Sequence, residues 1–113
     1  MALFLSWRVC KFVNMMIGEY YTRTVEVVED LTGVSRDEIC SKCRLREVVD
    51  ARWLVVWLMS EAGYYPRQIA GQLGITTRMA QKILQEFLDR VRYSPDIMLR
   101  NNLESAEKRL RNN

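Results

Sequence analysis

A chain of 113 residues, 49% hydrophobic and 27% charged, has the composition of one ordinary globular domain and is long enough to build a single core, so disorder is not expected. Five glycines, two prolines and no sustained apolar–polar alternation favour helices almost throughout, and the fold class expected is all-α. The net charge of +3 conceals an asymmetry: residues 24–40 hold five acids and one base, residues 41–82 seven bases and three acids. A basic segment of that kind suits phosphate neutralisation, and the acidic one should face away from a polyanion.

Residues 1–17, MALFLSWRVCKFVNMMI, are apolar but carry Arg8 and Lys11 in their middle, which stops them short of a membrane span. They also lack the leading charges and trailing small residues of a signal peptide. Two readings stand: an amphipathic helix packed on the domain or on a second copy, or an upstream extension with true translation at Met15 or Met16. The domain proper is residues 18–113. Tyr20, Thr24, Val27, Val28 and Leu31 form one side of a helix that ends at Thr32 and Gly33. Ser35 and Glu38 then have the spacing of a capping box, opening a short helix.

Three cysteines, Cys10, Cys40 and Cys43, are an odd number, and reduced thiols in a cytoplasm are the default expectation. With no histidine in the chain, a zinc site on the CxxC of Cys40 and Cys43 could be completed only between molecules or by carboxylates, and a redox CxxC would want a strand–loop–helix setting. No metal and no cofactor are expected. Lys42, Arg44 and Arg46 follow in or near a loop, before a helix over about 45–61. Its run Trp53-Leu54-Val55-Val56-Trp57-Leu58-Met59 is apolar on every side, which predicts the buried centre of a helical bundle, with both tryptophans in the core. Arg52, just before the run, reads as a snorkelling surface arginine or as a phosphate contact.

Ala62 and Gly63 close that helix, and Pro66 favours the first turn of the next, which includes Arg67. In residues 68–84, QIAGQLGITTRMAQKIL, Ile69 and Leu73 lie four apart, Gly74 supplies a left-handed stop, and Ala80, Ile83 and Leu84 resume the helical spacing. Ala70 is small enough for a close crossing, and Thr76 offers a hydroxyl to cap the second helix, expected over about 77–91. This is a helix–turn–helix, a pattern found in many bacterial DNA-binding proteins. Thr77, Arg78, Gln81, Lys82 and Gln85 share the side opposite the apolar positions. Their side chains are of the types that reach base edges in a major groove. Ser94, Pro95 and Asp96 open a last helix with a weak apolar side of Ile97, Leu103, Ala106 and Leu110, and Lys108, Arg109 and Arg111 near its end suit the helix dipole.

The segment GVSRDEI, the basic loop 41–46, the Ala51-Arg52 pair, Ile69 and the closing Pro95-Asp96 helix, in this order around a helix–turn–helix, resemble the carboxy-terminal DNA-binding domain of the bacterial replication initiator DnaA. The resemblance runs over about 25–110. It implies a Trp-repressor-like fold that binds duplex DNA, with the loop role falling on Lys42, Arg44 and Arg46 and a minor-groove arginine at Arg44. The family's Gly-Arg-Asp-His-Thr-Thr-Val signature is replaced here by Gly74-Ile75-Thr76-Thr77-Arg78-Met79-Ala80, and no GxxxxGK[ST] phosphate loop occurs. The chain looks like a detached or repurposed binding domain.

The function expected is therefore sequence-preferring binding of double-stranded DNA, in transcription or replication control, by a cytoplasmic, nucleoid-associated protein without a membrane or small-molecule partner. The DNA-contacting residues expected are Lys42, Arg44, Arg46 and Arg52 on one side, and Arg67, Thr76, Thr77, Arg78, Gln81 and Lys82 on the other. A homodimer or the minor-groove loop would add the specificity that one helix–turn–helix lacks. The competing class is a non-catalytic interaction module docking a protein through residues 1–17 and the acidic region 26–38. No arrangement of nucleophile and base suggests an enzyme.

Overall fold

Glycines in left-handed conformation and short polar caps divide the chain into helices where the sequence places them. The computed structural model describes residues 17–93 and 98–112. The expectations for residues 1–16, and for the opening of the last helix by Ser94, Pro95, Asp96 and Ile97, lie outside the described residues. Among these the elements are all helices: α1 Ile17–Thr32, α2 Arg36–Ile39, α3 Arg46–Glu61, α4 Pro66–Leu73, α5 Thr77–Tyr93 and α6 Met98–Asn112.

Helix α1 buries Tyr20, Tyr21, Thr24, Val25, Val27 and Val28, a stripe at the spacing of one helical face. Thr24 is the polar member of the core and is satisfied within its own helix, its hydroxyl donating to the Tyr20 carbonyl at 2.8 Å. The helix stops because Gly33 adopts φ 76°, and its N–H closes onto the Glu29 carbonyl at 2.8 Å. At α2 the capping box of Ser35 and Glu38 is present in both directions, and Glu29 Oε2 accepts a further first-turn bond from the Arg36 N–H at 3.0 Å.

Helix α3 is the centre of the molecule and packs against each of the other five helices. Leu54, Val55, Val56 and Met59 have no exposed surface. The expectation of burial on every side needs correcting, however, because Arg52, Trp53, Trp57 and Ser60 are only half-buried. Trp57 stacks on Phe87 of α5 with ring centroids 5.0 Å apart, and Trp53 lies under the guanidinium of Arg90 at 4.9 Å. Both tryptophans thus line the edge of the core, where a large ring covers a seam between two helices.

Helix α6 lays Leu99, Ala106 and Leu110 into the core, with Leu103 partly buried beside them. Arg109 near its end pairs with Asp30 of α1 at 3.0 Å. No helix among the described residues is long and apolar enough to cross a membrane.

Candidate nucleic-acid interface

Helix α4 begins with Pro66 in its first turn, where the missing N–H costs nothing, and the Tyr65 N–H beside it donates to Gln68 Oε1 at 2.9 Å. The turn that follows is closed by Gly74 at φ 72°, ψ 28°. The N–H groups of Gly74 and Ile75 both converge on the Ala70 carbonyl, at 2.9 and 3.1 Å. Such a turn redirects the chain within three residues. Thr76 then caps α5, its hydroxyl oxygen accepting from the Met79 N–H at 3.0 Å.

Because Ala80, Ile83 and Phe87 are held in the core, the helical period forces the other side of α5 into solvent. Thr77, Arg78, Gln81, Lys82 and Gln85 are all exposed there, with Thr76 at the start and Arg67 exposed on α4. A shallow open depression is lined by Thr76, Arg78, Met79, Gln81, Lys82 and Gln85. Met79 is the residue of this group that sequence reasoning missed. It leaves an apolar surface among polar donors, and its sole sequence signal is that it falls off the Ala80–Ile83–Phe87 stripe. The first turn of α5 carries no acid, so the positive end of its dipole is not opposed. Glu86 and Asp89, exposed further along, separate the basic first turns from Arg90 and Arg92 in the last turn. Helix α5 runs to Tyr93, two residues past the expected end.

The second basic element is the loop between α2 and α3. Lys42, Arg44 and Arg46 are exposed. Arg52 does something the sequence did not indicate. Its Nε donates to the Ile39 carbonyl at 2.8 Å, and its Nη2 donates to the carbonyls of Ser41 at 2.6 Å and Cys43 at 3.2 Å. Its guanidinium serves as a brace on the loop, because three carbonyls in a short segment match its planar fork. The Ser41 hydroxyl adds to the brace, donating to the Glu38 carbonyl at 2.6 Å and accepting from the Cys43 N–H at 3.1 Å. Cys40 and Cys43 are free thiols, and Cys40 Sγ lies 2.9 Å from the Tyr21 hydroxyl. Burial first, and the Cys40 sulfur second, push the Tyr21 phenol well above its usual range. Among the described residues no group of three or more acids and cysteines is gathered to hold a metal ion.

No family model, curated protein or solved structure matches the chain.

One ion pair joins the helices that carry the two basic elements. Arg90 Nε donates to Asp50 Oδ1 at 2.6 Å while its guanidinium covers the Trp53 ring, which ties the early turns of α3, just after the loop, to the far half of α5. From Thr77 to Arg90 the helical rise of about 1.5 Å per residue gives a separation of about 20 Å. The Arg90–Asp50 pair, which joins α5 to the second turn of α3, thus lies that far along α5 from Thr77. Arginine and lysine on exposed faces of the two basic elements offer donors to phosphates, and the polar first turns of α5 offer donors and acceptors to base edges.

Proposed function

We propose that this chain binds double-stranded DNA with sequence preference, as a regulator of transcription or replication, with the first turns of α5 in a major groove and the loop 41–46 at a minor groove. The observation that supports it best is the α4–turn–α5 unit, whose exposed side carries Thr77, Arg78, Gln81 and Lys82 on a helix start without an acid. The resemblance of residues 25–110 to the DNA-binding domain of DnaA points the same way. Arg52 enters as a positioning residue for the loop, and Arg44 as the minor-groove contact.

The test is retention of random duplex DNA by the purified protein at two salt concentrations, followed by sequencing of what is retained. An enriched motif that fades with Arg78→Ala is the expected result. Lys42→Ala should weaken all sequences alike and flatten the salt dependence by about 0.9 in log K against log salt for each phosphate no longer neutralised. Retention at low salt without enrichment would make the protein an architectural binder. No retention would favour the interaction module, although several acids of its expected docking region are already engaged: Glu29 and Glu38 on the start of α2, and Asp30 on Arg109.

A further inference from the structure

Leu45 is at odds with its position. It stands at the N-cap of α3, where its side chain makes no cap bond and leucine is among the poorest residues for the role. Nor does it join the core, because 62% of its surface is exposed. A single exposed leucine is ordinary on a protein surface, but this one lies between the exposed arginines Arg44 and Arg46, and its backbone is fixed from both sides. Upstream, Arg52 holds the carbonyls of Ser41 and Cys43. Downstream, the Leu45 carbonyl accepts the Val49 N–H at 2.9 Å as the first link of α3. A branched apolar side chain is therefore projected into solvent from a rigid base with a cation on either flank.

That combination is what insertion into a narrow groove requires, since the cations engage phosphates and groove edges while an apolar wedge separates two base pairs. We infer that Leu45 acts as a wedge, entering a base step from the minor groove and kinking the duplex away from the protein. The inference rests on the DNA-binding reading proposed above and adds a deformation to it. Steps of pyrimidine followed by purine unstack most readily, so they should be favoured under the loop even where no side chain reads them.

The experiment uses the full chain and a duplex of about 30 base pairs, labelled at both ends for energy transfer, carrying a motif retained from the random pool or a mixed sequence if none is enriched. The wild-type protein should bend it by about 20–90°. At concentrations that saturate the duplex, Leu45→Ser should leave it straight, with Arg44 and Arg46 still supplying electrostatic attraction. Leu45→Met, apolar and of similar reach, should restore the bend. The same Leu45→Ser variant should melt at a higher temperature than wild type, because serine supplies the missing cap. A straight duplex with wild type, or equal bending by Leu45→Ser, overturns the wedge. A lower melting temperature for Leu45→Ser also overturns it, by giving Leu45 a structural role. Absence of binding by every variant is a separate result, removing the DNA-binding reading and the wedge with it.

Discussion

Arg52 and Tyr21 each place a polar group against the loop that follows α2, and they do so with opposite chemistry. Arg52 commits a permanent charge to three backbone carbonyls. Hydrogen bonds from a charged donor are stronger than neutral ones, so Arg52→Ala should cost about 1–3 kcal/mol in urea unfolding. Its sharper signature should be faster amide exchange within residues 40–45 and weaker DNA retention without altered preference. Arg52→Lys should recover little of this, because an ammonium cannot span the three acceptors as the fork does. Tyr21 contributes instead through a phenol that must stay neutral. Its pKa in the folded chain lies above the ordinary value of 10.0, so its contribution is complete below about pH 10 and is lost as pH rises further and the unfolded chain ionises first. Urea midpoints measured from pH 8 to 11 should fall less steeply for Tyr21→Phe than for wild type, with Tyr64, also raised by burial, accounting for part of the remaining fall.

The elements were legible wherever a local signal marks an end. Gly33, the Ser35–Glu38 box, Pro66, Gly74 and Thr76 each act within four residues of themselves, and each appears in the structure with the geometry its residue type implies. Gly74 can be tested directly. An added Cβ would meet nothing within 4 Å, so Gly74→Ala should cost only the left-handed backbone penalty of about 1–2 kcal/mol. Thermal melting would detect a larger loss, which would mean that the turn itself had been rebuilt. What could not be read was which sides of an apolar helix its neighbours leave uncovered. The run from Trp53 to Met59 gives no periodic hint that Trp53 and Trp57 border solvent, since that depends on where α5 lies. The brace by Arg52 was hidden for a similar reason, as its three acceptors are backbone atoms 9 to 13 residues away and leave no trace in side-chain pattern.

For the molecule as a whole, the central position of α3 followed from its length and hydrophobicity, whereas the ion pairs between its helices did not. Asp50 meets Arg90 across 40 positions and Asp30 meets Arg109 across 79, separations at which one sequence offers no pairing signal. The pair at Arg90 is the more consequential, with its side chains 31% and 16% exposed and a tryptophan face beneath the cation. Such an arrangement should contribute about 1–2 kcal/mol. It also ties the loop end of α3 to α5, so on the DNA-binding reading proposed above the two basic elements should suit one spacing along the duplex. One base pair inserted between the two contacted stretches of a bound duplex rotates them by about 34–36° relative to each other, and the wild-type chain should tolerate that poorly. Arg90→Ala should bind the original duplex more weakly but discriminate less between spacings, a comparison that competition binding with duplexes lengthened by one, two and ten base pairs would make.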